Sequence, residues 1–385
     1  MPGRKHFKIY SICKNLSIYN QTLNKKNTKG YFILGVVLLV LITTGLKGEP
    51  EKITPYQFPT IGYFPDMPTN TDNPVSVEGR ELGRMLFYDP ILSQDSTISC
   101  ASCHQQKFAF SDGNLTFSKG INGALTKRNT PALYNLAWYE AMFWDGRAES
   151  IESQVFEPVR AHDEMNLSWT IAENRINNHP VYPQLFNQAF PNSRLDSTTI
   201  AKAIAQFERT LISNNARFDR VLRGEAYLNT QEYAGYELMN DQSKGNCLHC
   251  HSTDGNGLGT TGTFSNNGLD TAKNASGFID QGKGGITGLD RDMGAFKIPS
   301  LRNVAITAPY MHDGRFSTLR EVLDFYATGL QPSYSVDSKL ANVHRGGNHL
   351  TNEEKEQIIA FLETLTDSVF INDPRHGNPF LTNRP

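Results

Sequence analysis

Apolar residues recur three and four positions apart in residues 200–212, 230–239, 319–326 and 353–364, the spacing that turns one face of a helix into a core. Strict alternation, the mark of half-buried strands, is scarce. The pattern predicts a mainly α chain with long irregular loops, notably the Gly-rich, weakly periodic stretch 254–288. One run stands apart. Residues 31–46, YFILGVVLLVLITTGL, are the single stretch apolar enough to enter a bilayer, and Pro, Thr and Tyr then dominate residues 49–71, an extended lead-in.

Composition and charge narrow this picture. With 385 residues, 38% of them hydrophobic and 20% charged, the chain is long enough for two cores. Disorder, collagen-like repeats and a polytopic membrane protein are excluded. The formal charge of −2 hides an asymmetry: seven basic residues and no acid precede Tyr31, and the rest carries nine more acids than bases. A basic stretch ahead of a 16-residue apolar run has the charge order of an export signal, which places the body in the periplasm, freed by cleavage or held by an N-terminal anchor. The acidic body argues against a nucleic-acid partner and suits a basic soluble protein partner.

Candidate chemistry comes from cysteine. Cys13 precedes the apolar run, and the other four form Cys100-Ala-Ser-Cys103-His104 and Cys247-Leu-His-Cys250-His251. This is the pattern of covalent haem attachment: two thiols reach the two vinyl groups on one porphyrin edge, and the following His turns beneath the ring to bind iron. Disulfides or a zinc site are the competing readings of four such cysteines. Two c-type haems, with His104 and His251 as iron ligands, are the expectation.

The chain also repeats itself. Pro131-Ala-Leu-Tyr-Asn-Leu-Ala137 recurs as Pro299-Ser-Leu-Arg-Asn-Val-Ala305, and Trp144-Asp-Gly-Arg147 as His312-Asp-Gly-Arg315, both at an offset of 168. The haem motifs are only 147 apart, so the second copy holds about 21 extra residues, placed in the Gly-rich stretch. Two cytochrome c-like haem domains in tandem follow: residues 1–48 as export signal or anchor, 49–74 as linker, 75–225 and 226–370 as the domains, and 371–385 as a tail. Carried forward, the offset sets Pro158 opposite Tyr326. Proline has no donor for iron, whereas a phenolate oxygen has one, so the first haem is left an open face and the second is closed by Tyr326. Met311 and Met293 are the rival ligands, because thioether is a common sixth ligand in cytochromes c.

At these residues, and at Leu82-Gly-Arg-Met-Leu-Phe87, Arg128-Asn-Thr-Pro131, Phe143-Trp-Asp-Gly-Arg-Ala148 and Thr307-Ala-Pro-Tyr310, the chain resembles the bacterial di-haem cytochrome c peroxidase and MauG family. The resemblance implies a peroxide-reacting first haem and a second haem that relays or stores electrons. Peroxidases of this family usually hold a blocking His after the first haem motif; here the matching position is Ile121, and residues 105–128 contain no His. Their usual Met ligand at the second haem is matched by Tyr326. Both departures point to the MauG-like branch. The resemblance further makes Glu164 the acid–base residue, Gln154 its hydrogen-bonding neighbour and Trp144 the aromatic between the haems. It assigns one calcium ion to Asn129, Thr307 and Pro309. The sequence by itself does not separate Glu164 from Glu157, His162 or Asp163. Arg147 and Arg315 suit haem propionates or ordinary salt bridges equally.

Three functions are compatible with these residues. The first is a di-haem peroxidase reducing hydrogen peroxide to water with electrons from a small cytochrome c or copper protein. The second is a MauG-type enzyme that oxidises residues of a partner protein. The third, a plain electron carrier, is disfavoured by an unblocked first haem. The family resemblance also allows a homodimer.

Overall fold

Two helix pairs, each crossing at a glycine, carry the architecture of the computed structural model. Val77–Tyr88 begins at Ser76, whose hydroxyl accepts the Gly79 N–H at 3.0 Å, and packs on Ser197–Arg209, begun by the reciprocal Asp196/Thr199 capping box. Thr230–Asn240, capped by Asn229 and Glu232, packs on Asn352–Glu363, capped by Thr351 and Glu354. A Cβ at Gly83 would overlap the Ala203 carbonyl, and one at Gly235 the Gln357 carbonyl, so only glycine allows either backbone approach.

The structure describes residues 53–253, 256–340 and 342–381, all within the unit Ile53–Pro385. The export reading of residues 1–48, with Cys13, lies outside them. Among the described residues no helix is long and apolar enough to cross a membrane. The chain is mainly helical, as the apolar spacing predicts. Among the described residues, sheet is confined to the antiparallel pair Phe264–Ser265 and Phe296–Lys297, which ties the Gly-rich stretch to the segment after it. The 319–326 helix is shorter than expected: Leu319–Asp324 passes into a π-helical turn, Phe325–Gly329. Helices Ile151–Arg160, Trp169–Asn177, Tyr182–Ala189 and Arg217–Leu222 complete the main set.

The helices close two principal cores. Leu82, Leu86, Phe87, Phe110, Ile204 and Phe207 lie in the first, where the Phe87 and Phe207 rings meet edge to face at 5.2 Å. Phe218, Met239, Ile358, Phe361 and Leu365 lie in the second. The segment after Asp367 leaves the second core: Phe370 is buried in the first, against Phe110 and Tyr134. Residues 53–75 are extended but tied down, with the Tyr63 hydroxyl donating to the Asn214 carbonyl at 2.7 Å and Pro65 accepting the Trp138 indole N–H at 2.9 Å.

The 168-residue repeat is a repeat of backbone conformation. Asn135 and Asn303, at φ 55° and 56°, start equivalent short 3-10 turns, Leu136–Trp138 and Val304–Ile306. The bridge Met142–Ala148 has its counterpart in Tyr310–Phe316, and the N-caps Ser150 and Thr318 keep the register into the next helices. The copies also touch. The Tyr134 hydroxyl donates to the carbonyl of its own counterpart, Arg302, and the Asn129 N–H donates to the His312 carbonyl at 2.8 Å.

Candidate functional site

Both histidines of the cysteine motifs are oriented from behind. Cys100–Cys103 is a single helical turn, and the left-handed pair Ala109 and Phe110 folds the chain back so that the Phe110 carbonyl accepts the His104 Nδ1–H at 2.8 Å. In the second motif His251 Nδ1 donates to the Pro299 carbonyl at 2.9 Å. Since a carbonyl only accepts, Nδ1 carries the proton in both rings and Nε2 presents its lone pair, the arrangement a metal-binding histidine requires. Burial holds both imidazoles down at about 4, so protons do not compete for that lone pair near neutrality. The four motif thiols are unlinked, and among the described residues no cluster of His, Cys, Asp or Glu is able to hold a metal ion. Paired thiols beside a presented Nε2 fit two haems.

The two motifs face unlike partners. Glu164 lies in the loop that runs back along helix Ile151–Arg160, where the Met165 N–H donates to the Pro158 carbonyl at 3.1 Å. Burial, reinforced by Asp163 and opposed by Arg147, pushes the Glu164 carboxyl up to about 7. Glu164 lies within electrostatic reach of Cys100 and Cys103 of the first motif. Ile121 is buried beside it, donating its N–H to the Glu164 carbonyl at 2.9 Å. Gln154 is half-buried on the same helix as Glu157, which also acts on Glu164. His162 is exposed.

Tyr326 faces the second motif. Burial pushes its phenol up to about 12; the Asn267 hydrogen bond opposes this, and Cys247 and Cys250 add to it. Asn267 Nδ2 donates to the Tyr326 hydroxyl at 3.3 Å and lies 3.5 Å from the Met311 sulfur. The other rival, Met293, has its sulfur against Gly284.

Trp144 is pinned at both ends: its indole N–H donates to the Asn129 carbonyl, and its own carbonyl accepts the Lys297 N–H, each at 2.8 Å. Asn129 Nδ2 donates to the Leu115 and Thr116 carbonyls at 3.1 and 3.2 Å, which leaves its Oδ1 free to accept. Thr307 and Pro309 follow the second-copy 3-10 turn. Arg147 pairs with Asp145 at 3.0 Å, and Arg315 with Asp270 at 2.9 Å and with Asp313. Sequence reasoning missed three groups here. Arg128 bridges Asp145 and Asp280, Lys297 is a half-buried cation over the Tyr139 ring at 4.7 Å, and Asn267 sits in a loop without periodicity. Burial pulls Lys297 down to about 8, against Asp145.

A mainly helical chain with two carbonyl-anchored CxxCH histidines, one facing a carboxyl and the other a phenol, defines a di-haem redox protein. The di-haem cytochrome c peroxidase family profile matches residues 77–227. The chain is 37% identical over 297 residues to the methylamine utilization protein MauG of Methylorubrum extorquens, covering 76% of this chain and 79% of that one. It is 33% identical to the cytochrome c551 peroxidase of Nitrosomonas europaea, covering 78% and 84%. A solved MauG-like protein associated with microbial copper homeostasis superposes at a TM-score of 0.75 with 36% identity, covering 84% and 99%. This chain belongs to the di-haem cytochrome c peroxidase and MauG family.

Proposed function

We propose that this protein is a periplasmic di-haem peroxidase that reduces hydrogen peroxide to water, at two electrons and two protons per molecule, using a small cytochrome c or copper protein as donor. Cys100 and Cys103, and Cys247 and Cys250, would attach two haems, which would supply redox-active iron for peroxide reduction and a store of electrons. His104 and His251 would hold the two irons through Nε2. The observation that carries the reading is the asymmetry: a raised carboxyl at the first motif, a phenol at the second. Glu164 takes the proton from one peroxide oxygen on its carboxylate and returns it to the other, which leaves as water. Gln154 orients the peroxide, and buried Ile121 stands where a blocking ligand would otherwise be. Trp144, held rigid by two hydrogen bonds, offers a path between the sites. The repeated backbone and two principal cores support tandem haem domains meeting near residues 223–229. Asn129 Oδ1, with the Thr307 and Pro309 carbonyls, suits one calcium ion as a structural brace.

Tyr326 and Ile121 favour one further reading, a MauG-type enzyme that oxidises residues of a partner protein. Steady-state assay of the exported protein with peroxide and a reduced small cytochrome or copper protein separates the two. Sustained donor oxidation supports the peroxidase. A fast reaction with peroxide that supports no donor turnover supports the MauG-type enzyme, and no peroxide reaction at all defeats both.

A further inference from the structure

Two candidate ligands of the second haem, Tyr326 and Met311, meet one further side chain. The Asn267 amide nitrogen lies 3.3 Å from the Tyr326 oxygen and 3.5 Å from the Met311 sulfur. Asn267 belongs to the stretch that the first copy lacks, and this stretch is fastened on both sides of it. Asn266 is buried, with its amide donating to Ser335 Oγ at 3.0 Å and its Oδ1 accepting the Gly268 N–H at 3.0 Å. The Gly268 carbonyl in turn accepts the Gln331 N–H at 2.8 Å.

Tyr326 is held from its backbone as well. A π-helical turn leaves carbonyls without their usual partners four residues on, and here the chain beyond supplies them. Asn348 N–H donates to the Tyr326 carbonyl at 3.0 Å, and His349 N–H to the Ala327 carbonyl at 2.9 Å. Gly347, at φ 148°, makes this approach available, since a Cβ there would overlap both carbonyls.

An amide N–H binds a phenol oxygen far better than a thioether sulfur, which accepts weakly. We propose that Asn267 is the positioning residue that decides which side chain the second haem meets, holding Tyr326 forward and Met311 in reserve. This rests on the reading of Tyr326 as the iron ligand. Losing one hydrogen bond to an anionic oxygen shifts the preference towards Met311 by about tenfold.

The test is near-infrared magnetic circular dichroism and electron paramagnetic resonance of the all-ferric holoprotein, which distinguish phenolate from thioether ligation without any turnover. Wild type and Met311→Leu are expected to show phenolate at the second haem. Asn267→Leu should gain a thioether signature that disappears in the Asn267→Leu/Met311→Leu double variant, with the first-haem signal unchanged as an internal control for folding. Gly347→Ala, which displaces the π turn from behind, should move the signal the same way if Asn267→Leu does not fold. An unaltered second-haem signal in a folded Asn267→Leu protein overturns the proposal. A wild-type signal insensitive to Tyr326→Phe instead overturns the ligand reading beneath it.

Discussion

Replacing Glu164 with Gln tests the acid–base role through two independent readouts. With the carboxyl raised to about 7, roughly nine tenths of the molecules carry the carboxylate at pH 8 and about one tenth at pH 6. Only the carboxylate accepts the peroxide proton. The second-order rate of the peroxide reaction in wild type should therefore fall about tenfold between pH 8 and pH 6, with its inflection near pH 7. Glu164→Gln keeps the shape of the side chain but removes the base, so the rate should drop by about a hundredfold to ten-thousandfold and lose the inflection. Asp163→Asn keeps the base and removes a neighbouring charge that raises it, so the inflection should move to lower pH. Stopped-flow absorption with excess peroxide measures all three, after haem content has been matched. A Glu164→Gln rate within twofold of wild type, or one with the same inflection, refutes the assignment.

Other perturbations reach the rest of the account. Tyr326→Phe should change the ligand signature of the second haem and raise its reduction potential while leaving the first haem's spectrum intact, which spectroelectrochemical titration resolves. Arg302 and Asp219 form a two-pronged ion pair at 2.8 and 2.5 Å, with side chains 3% and 1% exposed; Asp219→Asn should cost about 3–5 kcal/mol in urea unfolding of the holoprotein, because it strands a buried guanidinium. Phe370→Ala should cost about 3–5 kcal/mol and loosen the first site in hydrogen exchange, since this ring plugs the first core against Phe110, whose carbonyl anchors His104.

Much of the site is legible in the residues because it rests on short-range pattern. The CxxCH spacing places both histidines, and the 168-residue offset holds through the backbone caps Asn135 and Asn303, the paired bridges and the helix starts at Ser150 and Thr318. Helices with an apolar stripe, such as Asn352–Glu363 through Ile358, Phe361 and Leu362, are legible for the same reason. Val77–Tyr88 is not, because its buried face includes Gly79, Arg80 and Gly83, which interrupt the stripe while serving close packing. Pro158 similarly disguises Ile151–Arg160. The π turn at Tyr326 has the composition of an ordinary helix end, so only backbone hydrogen bonding distinguishes it. Asn267 lies in a Gly-rich loop without periodicity, and Phe370 crosses to a core built by residues far earlier in the chain. Both depend on long-range contact, which no local pattern encodes.

The central claim is that the first haem is open at rest because Ile121 stands where a blocking ligand would be. Rapid mixing of the all-ferric holoprotein with one equivalent of peroxide, in the absence of reductant, tests it most directly. A fast change in the haem absorption bands is the predicted result. Bands that remain still until the second haem has been reduced would contradict the claim and show that another ligand closes the first site.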